Sequence, residues 1–524
     1  MQGSDTTKTV VGFFPFAAEQ PERLALIEPG HRETTYAELR DRVNQLSHGL
    51  RELGLVTGDV VALITRNSRT YFELMLATGQ IGLYLTPINY HLAASEIAYI
   101  VTNSEARVVI VDTQVLPTST RALNEIDFPA DRRFVVGEAE GWRRYEELLE
   151  HQPTSAPANR TAGAIMLYTS GTTGFPKGVR RPLTGGYPEE GLQSLTAFFR
   201  SFGFQPGDVH LVVSPLYHAA PGGFALNSLH LGQTIVIMDK FDPETALQLI
   251  ERYKINNTHM VPTMFYRLLH LPEEVRSGAD ISSLRSVVHA GAPCAVEVKR
   301  RMIDWLSPIV YEYYGASEGS ASRISPQEWL EHPGSVGRAL PGVSIKILNE
   351  DGQELSPGEV GLVYFGAPGS DLFEYYKDPA KTVATRRGNL ITVGDLGYLD
   401  EDGWLYLSDR RTDMILSGGV NIYPAEIEAR LMEHGAVADV AVIGIPDPEW
   451  GQRVIAFIQP RVGISPSDAL AKELIEWCRV GIATYKAPRA IEFRSELPRS
   501  AAGKMQRRIL RDQYTQNTGT PEKN

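Results

Sequence analysis

Residues 168–178 read YTSGTTGFPKG, a run of small, hydroxylated and glycine residues that closes with one lysine, Lys177. Glycines let backbone N–H groups approach a ligand closely, and hydroxyl groups together with a lysine suit phosphate oxygens. The run therefore predicts a loop that binds a polyphosphate, although an unliganded surface loop can have a similar composition. It is not a Walker A loop, because Pro176 precedes the lysine and Gly178 stands where that motif has Ser or Thr.

The segments before this loop alternate between helical and extended patterns. Residues 35–53 open with a capping box of Thr35 and Glu38 and then repeat leucine and valine at helical spacing. Residues 59–65, DVVALIT, and 106–112, ARVVIVD, are short apolar runs typical of buried strands. Apolar strands separated by amphipathic helices indicate a largely parallel sheet, so the predicted fold class is α/β.

The composition excludes some classes of function. A chain of 524 residues is too long for one ordinary core, so we expect several packing units. A formal net charge of −12 argues against non-specific binding to nucleic acid or anionic membranes, but it leaves room for a local basic pocket. No apolar run is long enough to span a bilayer. Cys294 and Cys478 lack metal-ligand spacing, which favours a reducing compartment and predicts a cytoplasmic location.

A second unit follows the charged run at 409–412. It contains a helical pattern that begins at Pro424, strand-like runs at 437–445 and 454–460, and a helical pattern at 467–483. This change of pattern predicts a small α+β domain after about Thr412.

Five further motifs follow the 168–178 loop in a fixed order, and together they span nearly the whole chain. They are HAGAPC at 289–294, YYGASEG at 313–319, VGDLGYLDEDGWLYLSDRR at 393–411, SGGVNIYPAEIE at 417–428 and PRSAAGKMQRRILR at 498–511. In this order they resemble the motifs of the adenylate-forming (ANL) superfamily, which includes acyl-CoA synthetases and 4-coumarate-CoA ligases. The resemblance implies a large N-terminal AMP-binding domain of several subdomains and a small, mobile C-terminal domain.

The resemblance implies an ATP and AMP site. In the family pattern Tyr314 stacks on adenine, Asp395 and Arg410 contact the ribose, the Ser317 hydroxyl reaches phosphate and Glu318 holds Mg²⁺. The full implied set is Thr169, Ser170, Gly171, Thr172, Thr173, Gly174, Lys177, Gly291, Ala292, Pro293, Tyr313, Tyr314, Gly315, Ala316, Asp395 and Arg410.

Residues 315–319, GASEG, also fit the G-x-S-x-G pattern of a hydrolase nucleophile elbow. Such an elbow needs a helix directly after the serine, whereas the residues after Ser317 reach Pro326 and form a poor helical pattern. We therefore interpret Ser317 as a nucleotide contact and not as a nucleophile.

The remaining implied roles divide between the two domains. Lys504 is the expected catalytic cation of the adenylation step, acting with Glu318 and Ser317, whereas Lys486 and Arg499 are interpreted as structural. Gly418 and Gly419 are expected to let the pantetheine arm pass, and Thr412 is the predicted hinge where the family commonly has Asp or Lys. The acyl pocket is predicted from Tyr217, His218, Gly222 and Ala290. The expected domains are residues 1–409 and 413–524, with a hinge at 410–412.

The predicted function is that of an AMP-forming acid–thiol ligase with ATP, Mg²⁺ and coenzyme A as cofactors. The partners are then a small-molecule carboxylic acid, ATP and CoA, and the small residues near His218 favour a bulky or a medium- to long-chain acid. The alternative acceptor is a carrier protein, which the enzyme would load in place of free CoA. Oligomeric state is left open, with a homodimer among the alternatives.

Overall fold

The computed structural model of the protein describes residues 11–169, 176–269, 271–291, 294, 296–349, 351–367, 373–410, 415–422, 424–498 and 507–518. Within these ranges no helix combines the length and the apolar character needed to cross a membrane.

The helices in these ranges are as follows, in chain order: α1 (Phe13–Glu19), α2 (Tyr36–Glu52), α3 (Arg69–Gln80), α4 (Ala94–Ser104), α5 (Leu116–Glu125), α6 (Leu192–Arg200), α7 (Ala219–His230), α8 (Pro243–Tyr253), α9 (Pro262–Leu269), α10 (Glu273–Gly278), α11 (Val296–Leu306), α12 (Pro326–Glu331), α13 (Pro379–Ala384), α14 (Pro424–Met432), α15 (Asp468–Gly481) and α16 (Arg507–Thr518). Short 3₁₀ turns occur at Thr113–Val115, Ala130–Arg132, Tyr145–Leu148 and Thr484–Lys486.

The strands in the same ranges are β1 (Leu24–Ile27), β2 (Glu33–Thr35), β3 (Val60–Ile64), β4 (Tyr84–Pro87), β5 (Ala106–Asp112), β6 (Arg133–Val136), β7 (Arg143–Arg144), β8 (Ala164–Ile165), β9 (Leu167–Thr169), β10 (Lys177–Arg180), β11 (Val209–Val212), β12 (Thr234–Ile237), β13 (Asn257–Met260), β14 (Ser286–His289), β15 (Val310–Ala316), β16 (Gly319–Ile324), β17 (Arg338–Ala339), β18 (Ser344–Leu348), β19 (Gly361–Gly366), β20 (Glu374–Tyr375), β21 (Arg386–Arg387), β22 (Leu390–Ile391), β23 (Asp395–Leu399), β24 (Leu405–Arg410), β25 (Ile415–Ser417), β26 (Val420–Ile422), β27 (Val437–Asp447), β28 (Gly451–Pro460) and β29 (Ala490–Phe493).

The first sheet is parallel throughout, with strand order β7-β6-β5-β3-β4-β8. All five residues of β3 are buried, as is the centre of β5. Both strands lie where the apolar runs at 59–65 and 106–112 predicted them, because strands covered on both faces are apolar throughout. Helix α2 is confirmed as well. Its capping box is complete: the Glu38 N–H donates to Thr35 Oγ1 at 3.2 Å and the Thr35 N–H donates to the Glu38 carboxylate at 2.8 Å.

The second and largest sheet has the order β17-β16-β15-β14-β13-β11-β12-β1-β2. Its strands from β15 to β1 run parallel, and antiparallel strands close both edges. In open α/β sheets, ligands bind beyond the carboxyl ends of the parallel strands. The sheet therefore fixes where a ligand site is to be expected.

Two smaller, mostly antiparallel sheets complete the large domain, one formed by β18, β19 and β21 to β24 and the other by β9, β10 and β20. The small domain is one five-stranded sheet in the order β26-β25-β28-β27, with β29 parallel to β28. Helices α14 and α15 pack on one face of this sheet through Ile427 and Leu474, and α16 packs on the other through Leu510. The α/β fold class and the small α+β domain are thus confirmed.

Candidate active site

A cavity of about 690 Å³ lies beyond the carboxyl ends of the parallel strands and reaches the small domain. Residues at or just after the ends of β11, β13, β14 and β15 line it, namely Val213, Val261, Ala290 and Gly315. Gly418 closes it from the small domain. One space is therefore bounded by both domains.

Two lysines form a positive wall of this cavity. Lys177, the first residue of β10, donates to the Asp378 carboxylate at 2.6 Å, and this hydrogen bond lowers the pKa of Asp378. Lys381 on α13 lines the same wall, and burial, with a further contribution from nearby Lys177, lowers its pKa. Lys381 was not predicted from the sequence, because no motif contains it. Two adjacent cations in an acidic protein suit a polyphosphate.

Ser317 and Glu318 form a two-residue turn that also lines the cavity. Strand β15 ends at Ala316, and β16 returns antiparallel from Gly319, with these two residues paired. A strand and not a helix follows Ser317, so the structure has no nucleophile elbow here, as the sequence analysis expected. Glu318 is 8 % exposed and accepts a hydrogen bond from the Tyr375 hydroxyl at 2.7 Å.

Tyr314 and Asp395, which the resemblance assigns to adenine and ribose, are joined directly. The Tyr314 hydroxyl donates to Asp395 Oδ2 at 2.6 Å, and Asp395 opens β23 opposite Arg410 of β24. Both Tyr314 and Asp395 are buried and lie behind the cavity wall, whereas Tyr313 lines it. The bond fixes the orientation of the carboxylate, and contact of this pair with a nucleotide stays a prediction.

Three of the four predicted acyl-pocket residues line the cavity, namely Tyr217, His218 and Ala290. The prediction for Gly222 is wrong. A Cβ atom there would lie 2.2 Å from the Tyr71 hydroxyl oxygen, so this glycine allows close helix packing and contributes no pocket volume. Its neighbour Gly223 lines the cavity instead. Burial lowers the pKa of His218 to about 4, which leaves its ring uncharged at neutral pH.

The inner part of the cavity is aromatic. We call its surface the aromatic floor, defined by Phe198 and Phe199 on α6, Phe224 on α7, His259 on β13 and Tyr313 on β15. The rings of Phe224 and Tyr313 lie 5.8 Å apart, and those of Phe198 and Tyr313 lie 6.0 Å apart at right angles. Of the five, the sequence analysis named only Tyr313, because the others belong to elements without a recognisable motif.

The small domain contributes a glycine turn to the cavity. Gly418 and Gly419 have φ of 61° and 79°, and both line the cavity between β25 and β26. A Cβ atom on Gly418 would lie 2.6 Å from the Trp450 ring. The turn therefore needs glycine for both its backbone conformation and its close approach to tryptophan. Trp450 packs directly on Gly418, and passage of the pantetheine arm past this turn stays a prediction.

A buried ion cluster joins the domains beside the cavity, and we call Glu96, Glu426 and Lys486 the interdomain latch. Lys486 Nζ donates to Glu96 Oε1 at 2.5 Å and to Glu426 Oε1 at 2.7 Å, and all three side chains are buried. Glu96 belongs to α4 of the large domain, and its second oxygen also accepts from the backbone N–H of Ala483 in the small domain at 2.9 Å. Lys486 is thus structural, as expected.

The pKa values of the two carboxyl groups of the latch are shifted in opposite directions. Burial, together with the neighbouring Glu96, raises the pKa of Glu426. The pKa of Glu96 is lowered in spite of its burial, because Lys486 and the hydrogen bonds to its oxygens favour the ionised form. Of the two carboxyl groups, Glu426 is therefore the one that keeps a proton more readily, and Lys486 balances Glu96.

Of the other residues implied by the resemblance, Thr169 and Gly291 line the cavity and Ala316 ends β15 beside it. The following predictions lie outside the described residues: Ser170, Gly171, Thr172, Thr173, Gly174, Ala292, Pro293, Arg499, Lys504, Thr412 and the side chain of Arg410. Their roles stay predictions.

A ligand space at the ends of parallel strands, bounded by a second small domain, defines a two-domain α/β protein that binds a ligand between its domains. A family model described as AMP-binding enzyme matches residues 13–376, and one described as AMP-binding enzyme C-terminal domain matches residues 426–504. The chain belongs to the AMP-binding enzyme family, which confirms the resemblance.

Individual relatives agree with this assignment. A fatty acid–[acyl-carrier-protein] ligase, ScoC, of Streptomyces coeruleorubidus is 31% identical and covers 95% of both chains. A feruloyl-CoA synthase of an Amycolatopsis species is 31% identical over 93% of this chain and 95% of the relative. Among solved structures, the amide bond synthetase McbA of Marinactinospora thermotolerans superposes with a TM-score of 0.85 at 27% identity, covering 96% of this chain and 99% of that one.

Two solved structures of one further enzyme, o-succinylbenzoate CoA synthetase of Bacillus subtilis, differ in their fit. A double mutant of it in complex with a product analogue, OSB-NCoA, gives a TM-score of 0.81 at 27% identity, covering 95% of this chain and 98% of that one. The complex with the acyl-adenylate intermediate gives 0.64 at 28% identity, covering 96% and 97%. The two comparisons cover nearly the same share of the chains, so the difference in TM-score does not come from coverage. This chain is therefore closer in overall arrangement to the product-analogue complex.

Proposed function

We propose that the protein is an ATP-dependent carboxylic acid–CoA ligase that proceeds through an acyl-adenylate and releases AMP and pyrophosphate. The observation that carries this proposal is the shared cavity. Its positive wall and its turn at Ser317 and Glu318 suit ATP, its aromatic floor suits an organic acid, and the glycine turn of the small domain opens into the same space. A carboxylate, ATP and a thiol can thus meet in one place.

The residues present fit a magnesium ion bound together with ATP. Among the described residues no cluster of three His, Cys, Asp or Glu side chains could hold a metal alone. Mg²⁺ usually binds through one or two carboxylates plus substrate phosphates, and Glu318 offers one carboxylate in the cavity wall. The ion, when bound there, neutralises phosphate charge. Lys177 and Lys381, which line the same cavity, would orient the same phosphates.

The first reaction joins the acid to AMP. The substrate carboxylate attacks the α-phosphorus of ATP, and the bond to the β-phosphate breaks in line, so that pyrophosphate leaves with the electron pair. The cavity wall positions both reactants, and the predicted contribution of Lys504 is to stabilise the charge that develops at the α-phosphate. In the second reaction a thiol attacks the activated carbonyl carbon, loses its proton and displaces AMP.

The choice of CoA as acceptor has two supports. The two glycines of the turn line the cavity without side chains of their own, which suits close approach of the slender pantetheine arm. The closer fit to the product-analogue complex of the Bacillus enzyme supports an arrangement adapted to the second reaction. The alternative acceptor is a carrier protein, and the similarity to the acyl-carrier-protein ligase ScoC supports that alternative.

The domain limits and location are part of the same proposal. Arg410 ends the last strand of the large domain and Ile415 begins the first strand of the small one, which supports a hinge at 410–412 between domains of 1–409 and 413–524. Cys294 and Cys478 are free thiols, which supports a cytoplasmic location.

The test is AMP release from MgATP by the purified protein with short-chain, long-chain, aromatic and polycyclic acids, each with and without CoA. We expect release that depends on one class of acid and rises when CoA is present. Acid-dependent adenylate formation that CoA does not affect would instead favour a carrier protein. ATP consumption that does not depend on an added acid would contradict the ligase function with either acceptor.

Replacing Lys381 with alanine is expected to raise KM for MgATP about tenfold with a smaller change in kcat, because one charge-assisted phosphate contact contributes about 1.5–3 kcal/mol at most. Steady-state kinetics with ATP as the varied substrate measure this. Lys377→Ala is the matched control, since Lys377 lies four residues earlier, pairs with Glu105 and is 43% exposed. An unchanged KM in Lys381→Ala would remove Lys381 from the phosphate wall.

A further inference from the structure

His259 is a polar side chain at the aromatic floor without a hydrogen-bond partner among the described residues. It lies inside strand β13, is 3% exposed and lines the cavity. Neither of its ring nitrogens has a hydrogen-bond partner within the described part of the chain. Leaving a buried polar group unpaired typically costs about 1–3 kcal/mol, so a partner that enters with a ligand would remove a real penalty.

The charge state of His259 limits what that partner can be. Burial lowers the pKa of His259 to about 3, with smaller contributions from nearby His210 and His289. The ring is therefore neutral at physiological pH and has one N–H donor and one acceptor nitrogen. A neutral imidazole pairs well with a hydroxyl, keto or ring N–H group, whereas it gives no charge compensation to a second carboxylate or an ammonium group.

The rings around His259 limit the shape of the ligand. The Phe224 ring lies 4.9 Å from the imidazole at 34°, and the Tyr313 ring lies at 6.2 Å. Behind them lie Phe202, Phe204 and Val288, which belong to the same buried cluster as Phe224 and do not themselves line the cavity. Flat walls that end in a packed cluster suit a ring system better than a long flexible chain.

The position of His259 along its strand sets which end of the ligand it meets. Register pairs His259 with Val212 and Val288, and His259 lies one residue before the end of β13, whereas Gly291 and Ser317 follow the ends of β14 and β15. The turn at Ser317 and Glu318 lies at the end of β15, and the lysines of the positive wall line the same cavity. A ligand whose carboxylate points to the nucleotide therefore presents its opposite end to His259.

We propose that His259 determines substrate specificity, and that the substrate is a ring-containing carboxylic acid with an uncharged hydrogen-bonding group, such as a hydroxyl, at the end remote from its carboxylate. This inference rests on the proposed ligase function and narrows its substrate. It replaces the broader expectation of any bulky or long-chain acid, because an unsubstituted alkyl end would leave both imidazole nitrogens unpaired.

The test uses pairs of acids that differ only in a remote hydroxyl, namely 4-hydroxycinnamic and cinnamic acid, and 4-hydroxybenzoic and benzoic acid, with decanoic acid as the alkyl probe. Two quantities are measured for each: kcat/KM of AMP release, and equilibrium binding by calorimetry without ATP. We expect the native protein to favour the hydroxylated acid of at least one pair by about 10- to 100-fold, as loss of one buried hydrogen bond predicts. In His259→Phe that ratio is expected to fall to about one.

Two further variants separate recognition from folding. His259→Asn keeps a donor and an acceptor and is expected to retain part of the preference. His210→Phe is the matched control, because His210 is a buried histidine on the neighbouring strand that pairs with Asn257 at 2.7 Å outside the cavity, and its acid preference is expected to stay native.

Three outcomes overturn the inference: native preference for the unsubstituted or the alkyl acid, a preference that survives in His259→Phe, and failure of every ring-containing acid to bind. Selective binding without AMP release would contradict the ligase function and leave the role of His259 supported.

Discussion

Replacement of Lys486 with methionine is expected to slow thioester formation on the order of 10²-fold while adenylation stays within about twofold. Lys486 is the only cation of the interdomain latch, and methionine keeps much of its volume without the charge. Docking of the variant would bury the ionised Glu96 against the small domain without a counter-ion. Breaking a buried pair in this way costs about 3–5 kcal/mol, and each 1.4 kcal/mol changes an equilibrium about tenfold.

The expected selectivity follows from where the latch lies. Glu96 belongs to the large domain, whereas Glu426 and Lys486 belong to the small one, so the penalty arises only when the domains dock as described here. In that docked arrangement the glycine turn at Gly418 and Gly419 faces the cavity. Chemistry that requires this arrangement is therefore impaired, and chemistry in another arrangement is spared.

Separate assays of the half-reactions measure this effect. Acid-dependent exchange of pyrophosphate into ATP reports adenylation, and conversion of a supplied acyl-adenylate by CoA reports the second step. Lys472→Met is the matched control, because Lys472 is an exposed lysine on α15 of the same domain. Small-angle scattering reports the arrangement of the two domains independently of activity. Equal loss of both half-reactions, or native behaviour in both, would show that the latch does not hold the docked arrangement.

Local patterns in the sequence were enough to predict most of the fold. Helix α2 has its capping box and its apolar spacing within 19 residues, and β3 and β5 are apolar runs of five to seven residues. The small domain could also be predicted from local patterns, because each of its main helices and strands shows the spacing of apolar residues that is typical of its type. These features depend on residues close together in the sequence, so they can be predicted from the sequence alone.

The site was predictable only where motifs mark it. Gly222 was assigned wrongly because what constrains it is Tyr71, which is distant in sequence. The latch joins residues 390 positions apart, and neither Glu96 nor Lys381 belongs to a motif. His259 occupies a strand in which a buried, paired histidine would be equally compatible with the pattern. In each case the deciding contact comes from another element, so only the folded arrangement reveals it.

Replacement of Lys504 with alanine is expected to produce the opposite defect, slowing adenylation on the order of 10²- to 10³-fold. The family motif assigns this lysine to the charge that develops at the α-phosphate, and loss of one such donor has an effect of about this size. Thioester formation from a supplied acyl-adenylate is expected to stay within about threefold, because no pyrophosphate leaves in that step. The same two half-reaction assays measure both rates.

The described residues on either side of Lys504 explain why the two lysines should act separately. Leu497 and Leu510 pack against the sheet formed by β27 and β28, and neither lines the cavity, whereas the glycine turn does. With the domain alternation that the family resemblance implies, the glycine turn and the Lys504 motif serve different arrangements, so each lysine is expected to act in one of them. Lys504→Arg, which keeps the charge, is expected to recover part of the adenylation rate. If Lys504→Ala and Lys486→Met slowed the same half-reaction, the assignment of one arrangement to each step would be wrong.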